Sequence, residues 1–150
     1  MFDNLFPELR SNHLFLVTIL AWTLAQLIKV ITGIIKTKKF DFRWFIGTGG
    51  MPSAHSAGAS ALAITAGFDY GFNSGIFALA IVFAMVTMFD AQGVRRSTGS
   101  QARILNKITE DIYWKGRIQE TRLKELIGHT PLQVIMGSTF GILIAIIFKR

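Results

Sequence analysis

The run from Leu14 to Ile35 carries a single charge, Lys29. It is long enough to cross the roughly 30 Å hydrocarbon core of a bilayer, for which a helix needs about 20 residues. Three further apolar stretches follow, Ser53 to Phe68, Gly75 to Phe89 and Pro131 to Phe148. The first two of these are short and need flanking residues or the shelter of neighbouring helices. With 51% hydrophobic residues in a chain of 150 and a mean hydropathy of +0.43, the chain is too apolar for an ordinary soluble fold of this size. The expectation is an all-α, polytopic membrane helix bundle of about four transmembrane helices, forming a single domain over residues 1–150. Asp3, Glu8 and Arg10 precede a long first run with no small-residue cleavage site, which argues for a retained span rather than a cleaved signal peptide.

The net charge of +7 would suggest nucleic acid in a soluble protein, but in a membrane protein the placement of charge matters more than its sum. If four helices alternate in direction, residues 36–52 and 90–129 share one side. That side holds Lys36, Lys38, Lys39, Arg43, Arg95, Arg96, Arg103, Lys107, Lys115, Arg117, Arg122 and Lys124, 12 of the 16 Lys and Arg. Arg10, Lys149 and Arg150 lie opposite, and Lys29 lies within a span. The positive-inside rule then places the basic face in the cytoplasm and both termini outside. A nucleic-acid partner is not expected.

The second span, from Ser53 to Gly67, is crowded with Ala, Ser and Gly. Small residues allow close helix packing in membranes, which puts this span at the centre of the bundle. Between Ala102 and Trp114, Ile104, Leu105, Ile108, Ile112 and Tyr113 fall near helical spacing among polar residues. That spacing predicts an amphipathic helix, either lying in the headgroup region or covering a pocket. The last span opens with Thr130-Pro131-Leu132-Gln133, where Thr is suited to the N-cap, Pro to the first helical position and Gln to the third.

The chain has no cysteine, which excludes disulfides, thiolate metal sites and thiol nucleophiles. Two of its three histidines lie on the basic side beside expected helix N-termini, His55 after Gly49-Gly50-Met51-Pro52-Ser53-Ala54 and His129 before Thr130-Pro131. Helix N-termini present unpaired N–H groups and partial positive charge, so both positions suit an anion. Asp90, ending the third span, is a functional candidate as an ionisable residue at a membrane boundary. Either it orients His129 or it pairs with Arg95 or Arg96. Lys29 lies two turns before Lys36 and either snorkels or reaches the polar site. His13, on the opposite side, reads as an interfacial residue.

Pro52-Ser53-Ala54-His55 resembles the Pro-Ser-Gly-His motif of the type 2 phosphatidic acid phosphatase superfamily, which also includes vanadium-dependent haloperoxidases. The wider string from Gly49 to Ala57, with Asp90 to Arg96 and Gly128 to Val134, is similar to the divergent branch of that superfamily, made of short bacterial membrane proteins. The resemblance implies a phosphate site. Lys36 and Arg43 have the spacing of the first motif, with Trp44 in place of its proline, and would clamp phosphate. Ser53 and the Ala54 amide would bind phosphate, and His55 would protonate the leaving oxygen. His129 matches the nucleophile of the third motif, four residues before Gln133, which replaces an orienting Asp. Thr121-Arg122 replaces Ser-Arg at an offset of one residue, so Arg122, Arg95 or Arg96 could supply the guanidinium. Gln133 either orients His129 or caps the last helix with Thr130.

The resemblance thus implies metal-independent hydrolysis of a lipid phosphate or polyprenyl (di)phosphate through a phosphohistidine, with no cofactor. The alternative is a non-catalytic phospholipid or polyprenyl-phosphate binder or carrier that has lost turnover with its Asp. The expected partner is a membrane lipid with a phosphate or diphosphate headgroup, in a bacterial plasma membrane. Four short helices bury little surface, which points to a homodimer.

Overall fold

The computed structural model describes residues 5–38, 50–113 and 129–150. Six helices account for most of them, and the described residues contain no strand. The helices are α1 (Leu5–Ser11), α2 (His13–Thr37), α3 (Ala54–Tyr70), α4 (Gly75–Gln92), α5 (Val94–Tyr113) and α6 (Pro131–Ile147). α1 was not expected, and α5 begins at Val94 rather than Ala102. The remaining helices follow the expected spans closely.

Each boundary has a local cause. Asn12 caps α2 by accepting from the Phe15 N–H at 3.0 Å, and α2 ends where Lys38 turns left-handed at φ 53° and donates its N–H to Ile34. Ser53 caps α3, and Ser74 caps α4 by accepting from the Phe77 N–H at 3.2 Å. Between them the chain reverses through Gly71 at φ 89°, a conformation that side chains with a Cβ rarely adopt. α6 opens with a complete capping box of Thr130 and Gln133, with Pro131 in the first turn.

α3 is the central helix, packed against α2, α4 and α6. Nearly every residue from Ala54 to Gly67 is buried, because side chains no larger than Ala or Ser let three neighbours approach its backbone. The closest approach is to α6. A Cβ at Gly137 would run into the carbonyl of Ser53, and one at Gly141 into that of Ala57. The Gly137-x-x-x-Gly141 spacing is the sequence signal for this seam, since residues four apart share a helix face.

The outer faces are apolar and uncovered. On α4, Leu79, Val82, Phe83, Val86 and Phe89 are all exposed, as are Ile31 on α2 and Ile135 and Ile147 on α6. An exposed apolar surface of this extent belongs in lipid. α2 and α4 are long and apolar enough to cross a bilayer. α6, at 17 residues, is apolar but shorter. α3 owes its shelter to its neighbours rather than to length. α5 packs on α4 and leaves Ile104, Leu105 and Ile108 uncovered, as an amphipathic helix in the headgroup region would.

Candidate functional site

α2 and α4 run toward one end of the bundle, while α3 and α6 start there, so that end collects two helix N-termini. α3 starts at Ser53. The Ser53 side chain is fully buried, and its Oγ accepts from the Ser56 N–H at 3.3 Å and the Ser56 hydroxyl at 3.0 Å. Its backbone N–H donates to the Gln133 carbonyl at 3.2 Å, which joins the start of α3 to the first turn of α6. Ala54 is buried beside it, and His55, the next residue, is exposed.

His129 immediately precedes the N-cap of α6 and is 3% exposed. Its backbone N–H donates to the Ala91 carbonyl at 3.0 Å, fastening it to the last turn of α4. The ring centroids of His55 and His129 lie 6.3 Å apart, tilted by 58°. A histidine nitrogen reaches a partner atom about 2.6–3.2 Å away, so these rings can act on the same small group. One is buried and the other opens to the outside.

Gln133 Oε1 makes the contacts of both roles expected of it as alternatives. It accepts from the Thr130 N–H at 3.0 Å and faces His129 Nδ1 at 3.2 Å. The Thr130 N–H can only donate, so the Gln133 atom facing it is the oxygen. An oxygen can only accept from the ring, so His129 Nδ1 carries the hydrogen. In the neutral ring this leaves the lone pair on Nε2. Sequence spacing could not decide between cap and orienting group because the two roles use different lone pairs of one oxygen.

Lys29 reaches toward this end from within α2. Its aliphatic stem lies against Gly50, where a Cβ would come within 2.9 Å of Lys29 Cδ. Gly50 has φ 89°, a conformation that favours glycine, and its lack of a Cβ leaves room for the Lys29 stem. Asp90 is half-buried in the last turn of α4, one residue before the carbonyl that holds His129. Arg43 and Arg122 lie outside the described residues. The same is true of the side chains of Lys36, Arg95 and Arg96, although their backbones belong to α2 and α5. No cluster of three or more metal-ligating side chains occurs among the described residues.

Sequence reasoning missed what closes the other end. His13, expected only as an interfacial residue, faces both carboxylate oxygens of Asp69 through Nδ1, at 2.8 and 3.0 Å. Its Nε2 donates to the Phe148 carbonyl at 2.9 Å. The start of α2 and the ends of α3 and α6 are thereby clasped together. The available signal was two ionisable residues, His13 and Asp69, at span ends on the same expected side of the membrane.

A family model described as "Divergent PAP2 family" matches residues 10–144. The chain is also 39% identical over 151 residues to "Uncharacterized membrane protein YuiD" of Bacillus subtilis (strain 168), covering 93% of this chain and 96% of that protein. No solved structure matches.

Proposed function

We propose, from the premise that this chain belongs to the divergent PAP2 family, that it is a membrane-embedded phosphatase. Its substrate is a lipid phosphate or polyprenyl diphosphate, and the histidine pair does the chemistry. The observation that carries this reading is the arrangement of His55 and His129, 6.3 Å apart between centroids, with the His129 tautomer set by Gln133.

In the first step His129 Nε2 attacks phosphorus and a P–N bond forms. The P–O bond to the leaving group breaks, and protonated His55 gives its proton to the departing oxygen. In the second step neutral His55 removes a proton from water. The resulting hydroxyl attacks phosphorus, the P–N bond breaks and inorganic phosphate leaves. The net reaction is hydrolysis. The unequal burial of the rings supports this division of labour: a buried nucleophile is held in one orientation, and the exposed ring has access to water.

Charge developing on the phosphoryl oxygens needs donors. Lys29 is the described cation whose stem runs along the Gly50 loop, and the first-turn N–H groups at Ala54 and His55 point out of the N-terminus of α3. Lys36, Arg43, Arg95, Arg96 and Arg122 are assigned to the same clamp. Ser53 acts by capping the helix that carries these amides, since its Oγ is buried against Ser56. Asp90 balances the cations at the end of α4. The mechanism uses no metal and no cofactor.

The second reading is a binder or carrier of the same phosphorylated lipids, favoured by one observation. Gln133 is a neutral partner for the ring that must become cationic as its P–N bond forms, and a carboxylate would stabilise that charge better. Purified protein incubated with phosphatidic acid or a polyprenyl diphosphate in EDTA separates the two. Phosphate release lost in His129→Ala supports the phosphatase, and tight binding without release supports the carrier. We further assign the basic end to the cytoplasm with both termini outside, which reporter fusions at each terminus test.

A further inference from the structure

Directly beneath the histidine site, α4 and α6 part to leave a groove of about 320 Å³. Met85, Met88 and Phe89 form one wall, and Ile135, Thr139 and Ile142 the other. Ser138 lies in the groove, but its hydroxyl is turned to the Val134 carbonyl at 3.0 Å and the Met88 sulfur at 2.8 Å, so the lining is apolar in effect. Each helix packs far more extensively on α3 than on the other. Phe89, Met85 and Ile135 are at least half exposed, so the groove opens sideways toward the lipid.

Its upper end adjoins the candidate site. Gln92 and Val134 bound it there. They directly follow Ala91, which holds the His129 backbone, and Gln133, which holds the His129 ring. From that end to Met85 on α4 and Ile142 on α6 the groove descends about 10–12 Å at 1.5 Å per residue. That depth fits within one leaflet, half of a ~30 Å hydrocarbon core. At about 1.25 Å per methylene, a groove of this depth matches roughly eight to ten carbons of an extended chain. The flexible thioethers of Met85 and Met88 can mould themselves to a chain that is straight or methyl-branched.

From this adjacency, depth and apolar lining we infer that the α4–α6 groove holds one hydrocarbon chain of the phosphorylated lipid while its headgroup sits between His55 and His129. The inference rests on the phosphate site proposed above but not on turnover there. The lipid enters sideways from the leaflet on the histidine side, and the depth of the groove sets the length of chain that it shelters nearest the phosphate.

The test uses the whole protein in nanodiscs and a single-chain alkyl phosphate with a diazirine near the far end of about ten carbons. Photolysis is expected to give adducts at Met85 and Ile142. An excess of unlabelled alkyl phosphate should suppress them, and the corresponding alcohol should not. Ile142→Trp, which fills the deep end, is expected to lower far-end labelling about tenfold, while a mid-chain diazirine still labels Phe89. Three results would overturn the inference: adducts spread over Leu79, Val82 and Phe83, labelling indifferent to the phosphate, or protection of the groove by a second copy of the chain. Phosphate-dependent labelling without hydrolysis would uphold the groove and remove the phosphatase. Hydrolysis without labelling in the groove would do the reverse.

Discussion

The two ends of this bundle each carry a buried or half-buried histidine that ties helices together, and they use it in opposite ways. At one end the His129 backbone does the tying, through Ala91, while a neutral amide oxygen takes up one ring nitrogen and fixes the tautomer. At the other end the His13 ring itself does the tying, with a carboxylate on Nδ1 and a carbonyl on Nε2. A histidine that spends both ring nitrogens on the protein's own acceptors is a fastener. One held by its backbone, with Nδ1–H on an amide oxygen, has its tautomer fixed, so that the lone pair of the neutral ring lies on Nε2. The ends differ in packing as well: the close Gly137 contact to Ser53 lies near His129, whereas at the other end the start of α2 meets the ends of α3 and α6.

The largest difference between the ends should appear in turnover. His129→Ala is expected to lower kcat by about 10³-fold or more, as loss of a nucleophile does. His13→Ala is expected to leave kcat within about twofold, because it touches no reacting atom. Phosphate release from matched, folded samples checks both. Equal losses would erase the distinction between the two histidines. The next largest effect is on folding. Gly141→Val drives a side chain into the Ala57 backbone and is expected to destabilise by about 3 kcal/mol, read as a lower melting temperature in detergent. Gly137→Ala pushes on Ser53 itself, so it should lose a larger share of activity than of stability.

Much of this was legible in the chain because lipid immersion is written residue by residue. The spans came from apolar runs, the central place of α3 from its small side chains, and the start of α6 from Thr130, Pro131 and Gln133. The early start of α5 was hidden because Ser97, Thr98, Gly99 and Ser100 look like a loop, whereas in the structure they continue a helix. The clasp was hidden for a different reason. His13 and Asp69 are separated by 56 positions, and only the packing of three helices brings them together. The groove likewise exists only as the gap between two helices that both prefer α3. At the site itself, the pairing of His55 with His129 was expected through a family resemblance, whereas the shared role of Gln133 Oε1 and the Ala91 anchor required coordinates.

Gln133→Glu sharpens the comparison by giving His129 the kind of partner that the clasp already has. The carboxylate keeps an acceptor for the Thr130 N–H and for His129 Nδ1–H, and it stabilises the ring as it becomes cationic. The expected outcome is about a tenfold rise in kcat, with little change in melting temperature. A fall in kcat would mean that the added charge repels the phosphate more than it helps the imidazole. Gln133→Leu removes both bonds and is expected to lower kcat and stability together. At the opposite end, Asp69→Asn should cost about 1 kcal/mol, the ordinary worth of a partly exposed ion pair with hydrogen bonds.

The smallest expected effect comes from Thr65, one turn of α3 before Asp69 and on the same face. The residue is 1% exposed, and its Oγ1 has no hydrogen-bond partner among the described residues. A buried hydroxyl without a partner costs stability, and valine fills almost the same volume without it. Thr65→Val is therefore expected to raise stability by about 1 kcal/mol, or about 2–4 °C in melting temperature for a chain of this length, with kcat unchanged. Thermal melts and phosphate release on one preparation measure both. A drop in melting temperature alone would assign the hydroxyl to the clasp beside it. A drop in kcat would mean that α3 couples its two ends, and His13 and His129 could no longer be treated as independent.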